Sequence, residues 1–220
     1  MRRFVPFGAA LAVVVVAVVA AVAVFGGDGE DPPPRRPLAR AADRPIPDVR
    51  FAVVADELHS PSGVTPLPPA TRAAVVDVLE RYVQLGSLAP MRRGRIGRGL
   101  DAVFSTAAFA RAAGPDRAAL FDEGAPVDPE ALAVRAEASL VALAEPDPTA
   151  GAAAAAVVAR IVVQLVEDGG AFTVLRSGEL VLVPAGDRWM VDGYSVRVSR
   201  TGLGTTTGST AEAGRTGTTR

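Results

Sequence analysis

The hydrophobic pattern changes character along the chain. From Phe4 to Phe25 no residue is charged or strongly polar: Phe-Val-Pro-Phe-Gly opens a long Ala/Val/Leu tract that closes on Val24-Phe25. A helix needs about 20 such residues to cross a hydrocarbon core, and it pairs every backbone polar group within its own segment. Pro6 falls in the first turn, where a missing N–H does little harm. The run predicts one transmembrane anchor. From Pro68 the period becomes helical. Val75, Val76, Leu79, Tyr82 and Val83 recur on one face, Pro68-Pro69 supplies a start signal and Gly86 a stop. Shorter helical turns are expected over 100–104, over 106–113 with Ser105 as N-cap and Gly114 as stop, and over 116–121. Residues 49–54 read as a short strand.

From Ala131 the period switches to two. Val134, Ala136, Ala138, Leu140 and Ala142 alternate with Arg135, Glu137 and Ser139. After a turn over 146–151, Val157, Ala159, Ile161, Val163 and Leu165 form the next inward set, against Val158, Arg160, Val162 and Gln164. Asp168-Gly169-Gly170 is a hairpin signal. A strand over 172–183 is expected to bulge at Ser177-Gly178, and Ala185-Gly186-Asp187 turns the chain into a last strand over 189–198. Helices first and long antiparallel strands later predict an α+β domain, with a curved antiparallel sheet wrapped over helices.

The intervening composition sets the organisation. Residues 1–25 are the anchor, and 26–47 a Pro/Gly-rich linker in which Pro32-Pro33-Pro34 favours a semi-rigid extended spacer. Residues 48–200 are the folded domain. Residues 201–220, nearly all Gly, Thr and Ser with little apolar content, are expected to form a disordered tail. Arg2 and Arg3 precede the apolar run, while Asp28, Glu30 and Asp31 follow it. The positive-inside bias therefore places the N-terminus in the cytoplasm and the domain outside, in a single-pass protein of the cell membrane. Arg35 and Arg36 narrow that asymmetry. The alternative is a signal peptide cleaved after Ala21-Val22-Ala23, against which stands an apolar run longer than the ~7–15 residues of a signal h-region.

Composition removes several chemistries. The chain has no Cys, so disulfides, thiol nucleophiles and Cys-ligated metals are excluded. Its 23 cationic residues are all Arg, and the Ala, Arg, Gly, Pro and Val bias fits a GC-rich bacterial genome. A formal net charge of −1 gives no electrostatic case for nucleic acid. His59, the one His, cannot build a His-based metal site, so neither metal nor cofactor is expected. Arg92, Arg93, Arg95 and Arg98 form the one basic cluster, in a Gly-rich loop that lacks dinucleotide and P-loop spacing. No nucleophile–base–orienter set can be assembled, so no catalytic residue is expected.

Two segments carry a resemblance. Thr173-Val174-Leu175-Arg176-Ser177-Gly178-Glu179-Leu180-Val181-Leu182 and Asp187-Arg188-Trp189-Met190-Val191-Asp192-Gly193-Tyr194 resemble the C-terminal hairpin of nuclear transport factor 2-like (SnoaL-like) domains. They are similar in particular to the membrane-anchored versions of high-GC Gram-positive bacteria, and the layout is similar to that of mammalian-cell-entry-associated membrane proteins. The resemblance covers about residues 68–200. It implies a cone of helices on a curved sheet, an apolar cavity between them, and often a homodimer through the sheet. It does not imply one activity, since the fold hosts isomerases, cyclases, transport factors and inert accessory domains. Cyclases of that type use a His/Asp pair that this chain does not show at matching positions. An isomerase reading would rest on Tyr82 and Asp101.

Two sets of residues follow as candidates. Tyr82, Ala138, Ala159, Val163 and Trp189 would line a cavity for a small apolar ligand or lipid. Val158, Val162 and Val166 make the β-strand apolar on its outer face as well, which anticipates cover by a homodimer or an envelope protein partner. The leading expectation is a non-enzymatic accessory protein of the cell envelope whose extracytoplasmic domain mediates protein–protein interaction or homo-oligomerisation. The alternatives are a binder of a small apolar ligand, and an isomerase or cyclase of the same fold.

Overall fold

The computed structural model describes residues 46–122, 132–144, 154–167, 172–202 and, for the backbone, 207–213. The expected anchor from Phe4 to Phe25 and the linker up to residue 45 lie outside these. Among the described residues no helix is long and apolar enough to cross a membrane.

The domain is α+β. Strands β1 (Phe51–Ser60), β2 (Gly63–Thr65), β3 (Leu132–Ala144), β4 (Ala154–Glu167), β5 (Phe172–Ala185), β6 (Arg188–Gly202) and β7 (Thr207–Ala213) form one sheet in the order β2-β1-β3-β4-β5-β6-β7. The sheet is mixed rather than purely antiparallel: β1 runs parallel to β3, from Phe51 opposite Ala136 to His59 opposite Leu143. A parallel pair needs a long crossover, and the whole helical segment between β2 and β3 is that crossover. Sequence periodicity within a strand carries no record of its neighbour's direction, so this pairing was not legible.

The principal helix α1 (Pro69–Val83) does not stop at Gly86. It continues through a π-helical turn (Gln84–Leu88) into α2 (Ala89–Arg93) and ends at Gly94, whose φ of 66° is left-handed. Gly86 is a packing residue: a Cβ there would stand 3.1 Å from Cδ1 of Phe121. Glycine costs a helix about 1 kcal/mol relative to Ala, and here that cost accompanies the close approach of an aromatic ring. A 3₁₀ turn (Leu100–Val103), α3 (Thr106–Ala113) and α4 (Arg117–Leu120) complete the helical layer. Ser105 caps α3 as expected, its Oγ accepting from the Ala108 N–H at 3.3 Å. The Ser105 N–H donates to the Val191 carbonyl at 2.8 Å, and this ties the helical layer to β6.

The period-two reading of β3 and β4 places side chains correctly. Ala136, Ala138, Leu140 and Ala142 are buried, as are Val157, Ala159, Ile161, Val163 and Leu165. Small side chains on these strands share the core with large ones from the helical layer, Tyr82 in α1 and Phe104 and Phe121 just after the 3₁₀ turn and α4, all at 2% exposure or less. Two expectations are revised. No bulge occurs at Ser177-Gly178, where pairing with Arg197 and Val196 is continuous; the register shift lies instead between Val181 and Leu182. Residues 207–213, read from composition as part of a disordered tail, pair with β6 from Tyr194 opposite Ala213 to Arg200 opposite Thr207. An edge strand can be held by its backbone ladder, which composition alone does not reveal.

Candidate functional site

The core contains a charged centre. β5 begins with Phe172, Val174 and Arg176 facing inward, so strand alternation drives a guanidinium into the interior, where Arg176 is 1% exposed. Asp122, at the end of the segment after α4, meets it: Arg176 Nη2 donates to Asp122 Oδ2 at 2.9 Å and to the Leu120 carbonyl at 3.1 Å. Arg200 of β6 donates through Nε to Asp122 Oδ1 at 2.8 Å. Ser87, in the π-helical turn, accepts from Arg176 Nη1. The backbone N–H of Asp122 donates to the Gly86 carbonyl at 3.2 Å, so the same turn holds both partners of Arg176 in place. π-turns recur at functional sites because they reposition side chains within a helix.

Tyr82 closes this centre from above. Its ring centroid lies 5.3 Å from the Arg176 guanidinium carbon, and its edge packs on Phe104 at 5.8 Å between centroids. Among the described residues two buried donors here have no partner: the Tyr82 hydroxyl and Arg176 Nε. Burial pushes the Tyr82 hydroxyl above the usual tyrosine range, Arg176 opposes that rise and Asp122 adds to it. Burial works against the charge on Arg176, but Tyr82 and Asp122 outweigh it, and the guanidinium is held even more firmly protonated than usual. Tyr194 packs edge-on against Phe104 and donates to Asp116 at 2.8 Å; burial first, then that hydrogen bond, raises its hydroxyl well above the ordinary range.

These two are the chain's only tyrosines, and a pH prediction follows. Unfolded tyrosine ionises near pH ~10, while both folded hydroxyls keep their protons beyond that. The native state then binds more protons than the unfolded one, so stability falls as pH rises above ~10, by up to about 1.4 kcal/mol per pH unit for each tyrosine. Their contribution is fully present below that pH. Tyrosinate absorbance is expected to appear only together with loss of far-UV circular dichroism; tyrosinate appearing near pH 10 in a protein still folded would contradict it.

The residues singled out from sequence fall in three places. Tyr82, Ala138, Ala159 and Val163 lie together in the packed interior, each at 1% exposure or less. Trp189 is only partly buried, packed against the margin of that core and beside a groove of about 150 Å³ with Ala74, Val78, Ala102 and Val103 as apolar lining and Asp77, Arg81, Asp187 and Arg188 around it. Asp101 is exposed, and the acid whose charge acts on Tyr82 is Asp122. Each oxygen of Asp122 is engaged by a guanidinium donor. His59 sits on β1, exposed and 3.0 Å from Glu57. Among the described residues no group of three or more His, Cys, Asp or Glu is placed to hold a metal.

The third place is the outer face of the sheet. Val162 is 48% exposed and Leu175 40%, while Val158 and Val166 are half-buried. The register aligns outward residues into rows across β3, β4, β5 and β6. One row is Val141, Val158, Val181 and Gly193; the next is Ser139, Arg160, Glu179 and Ser195; the third is Glu137, Val162, Ser177 and Arg197. Within the middle row Arg160 and Glu179 form an exposed ion pair at 2.8 Å.

Compared with protein-family models, curated proteins and solved structures, the chain shows no significant match.

Proposed function

We propose that the chain is a membrane-anchored, non-enzymatic accessory protein of the cell envelope, with a nuclear transport factor 2-like extracytoplasmic domain that self-associates through the outer face of its sheet. The apolar run from Phe4 to Phe25 supports the anchor. The observation that carries the self-association is the arrangement of charge in the outward rows. A second copy turned about an axis parallel to the strands, midway between β4 and β5, lays each row over itself in reverse. Arg160 then faces Glu179 of the second copy, Glu137 faces its Arg197, and Val158 faces its Val181. Opposite charges meet and the apolar row covers itself, as an isologous interface requires.

The size is adequate. Strands β3 to β6 run 13 to 15 residues each. At about 3.3 Å per residue and 4.8 Å between strands they offer a face of roughly 45 by 15–20 Å, near the ~800 Å² per partner of stable interfaces.

Sedimentation of the full-length protein in mild detergent tests this. Glu137→Arg or Arg197→Glu alone should weaken the dimer by tenfold or more, roughly 1.4 kcal/mol, and the double exchange should restore it. Glu137 and Arg197 lie three strands apart in one chain, so rescue by exchange reports contact between copies. A parent that stays monomeric at all concentrations, or singles that associate as the parent does, would refute the reading. The alternative is a binder of a small ligand, for which the groove beside Trp189 offers about 150 Å³. That reading expects monomers whose native mass spectrum carries a constant additional small mass.

A further inference from the structure

We infer that the arginine loop after α2 is a docking surface for anionic phospholipid headgroups, which seats the domain on a bilayer. The inference rests on the proposed anchor, which keeps a bilayer within reach. From Tyr82 to Leu100 the chain carries four arginines, Arg92, Arg93, Arg95 and Arg98, and no Asp or Glu, in a protein whose formal net charge is −1. Arg92 and Arg93 lie in the last turn of α2, where a helix C-terminus favours cations in any case. Arg95 and Arg98 stand beyond the helix and have no such use. Arg93, Arg95 and Arg98 are exposed, and among the described residues none of the three is in an ion pair. Asp101, the first acid after the loop, pairs with none of them.

The loop is held in place. The Gly94 N–H donates to the Pro90 carbonyl at 2.7 Å, and the Gly97 N–H to the Leu85 carbonyl at 2.8 Å. Gly97 lies so close to the π-helical turn that a Cβ on it would stand 2.6 Å from Cδ2 of Leu85. Ile96 packs against the core. Ile96 and Gly97 thus face inward, while Arg95 and Arg98 on either side of them reach solvent. A backbone fixed in advance loses less freedom when its side chains meet a surface, and guanidinium groups match phosphate oxygens in a two-pronged contact. The loop carries no aromatic side chain on which a nucleic-acid base could stack.

Its place in the fold selects a membrane over a soluble anion. The chain enters the domain beside the same helix: Ile46 packs on the core, Arg50 Nη1 donates to Glu80 Oε2 at 3.1 Å, and the Phe51 N–H donates to Glu80 Oε1 at 3.2 Å. Glu80 and Leu85 stand on one continuous helix, roughly 7 Å apart along its axis. The entry from the linker and the arginine loop therefore share one stretch of the helical layer. A tether also raises the effective concentration of whatever lies at its far end, so individually weak headgroup contacts count. The helical layer packs on the inner face of the sheet, and use of the loop leaves the outward rows free to self-associate.

The test places the full-length protein in lipid nanodiscs of phosphatidylcholine alone and of equimolar phosphatidylcholine and phosphatidylglycerol. A basic residue near an anionic surface favours contact about fivefold, so amide exchange over 92–99 should slow about tenfold or more in the anionic discs. The slowing should vanish at about 1 M salt, where the screening length falls to ~3 Å. The triple variant Arg93→Gln/Arg95→Gln/Arg98→Gln should lose it while keeping the parent's unfolding midpoint, since none of the three is paired within the fold. Equal exchange in both discs, slowing confined to another surface, or slowing that survives in the triple variant would overturn the proposal. Inorganic phosphate at matched ionic strength that slows the loop equally in neutral discs would overturn it in favour of a free-phosphate site. The anchor is read separately, because a protein without one elutes apart from the neutral discs. In that case co-elution with anionic discs, lost in the triple variant, would uphold the loop and refute the anchor; elution apart from both discs would refute both.

Discussion

Replacing Asp122 by Asn is expected to destabilise the domain by about 3–5 kcal/mol, the cost of removing one partner from a buried ion pair. The carboxylate is fully buried, and each oxygen serves a different arginine. With an amide there, Arg176 would lose the carboxylate it pairs with while remaining in the interior, and the amide NH₂ would face guanidinium donors on one side. Total stabilities of domains lie at about 5–15 kcal/mol, so the variant should sit close to the folding threshold. In urea the midpoint should fall by about 1 M or more at an unchanged m-value, since the surface exposed on unfolding stays the same. The double variant Asp122→Asn/Arg176→Met should recover part of the loss, because an apolar replacement of similar length removes the stranded charge. A single variant within about 0.5 kcal/mol of the parent would show that the pair carries no such weight.

How much of this centre was legible in the sequence depends on the residue. Arg176 carried a signal: it follows Phe172 and Val174 at period two, so an arginine stands where the pattern calls for a buried side chain. The neighbouring Ser177-Gly178 drew attention as a break in that pattern and obscured it. Tyr82 was correctly placed inward by helical spacing, but its polar neighbour was sought at Asp101, the nearest acid before the next helix. The acid that meets it, Asp122, stands in no periodic element. Its position is fixed by α4 and by the hydrogen bond to Gly86, tertiary facts with no local code. Ser87 is likewise turned to Arg176 by a π-helical turn that runs through the glycine expected to end the helix.

The sheet divides in the same way. Alternation gave the inner faces of β3 and β4 residue by residue, because a half-buried strand writes its burial into every second position. It gave neither the parallel pairing of β1 with β3 nor the addition of β7, since both depend on which edge is free after the rest of the chain has folded. The outward charges Glu137, Arg160, Glu179 and Arg197 were visible as polar positions, but their alignment into self-complementary rows required the register.

Gly178 illustrates how a residue can be identified as special for the wrong reason, and it yields the second large effect. It was expected to mark a bulge, yet the ladder passes through it unbroken, with Ile161 on one side and Val196 on the other. What glycine supplies is room. A Cβ at this position would collide with the backbone carbonyl oxygen of Ser195 and lie 2.8 Å from the Cα of Val196. Neither atom belongs to a flexible side chain, so relief must come from separating β5 and β6. That separation would disturb Arg176 and Leu180 on β5, and with them the tie to Asp122. Gly178→Ala is therefore expected to cost about 3 kcal/mol or more, at the upper end of single substitutions and well beyond the 1–3 kcal/mol typical of overpacking in a core. Amide exchange should localise the damage, with protection lost across the paired segments around Glu179 and Ser195 before the β3–β4 ladder. Gly186→Ala is the matching control. Its φ of 67° makes it unfavourable by backbone conformation, but a Cβ there meets nothing within 4 Å, so its cost should stay near 1 kcal/mol, the scale of a strained turn residue. If the two substitutions cost the same, close approach of the strands is not what Gly178 provides.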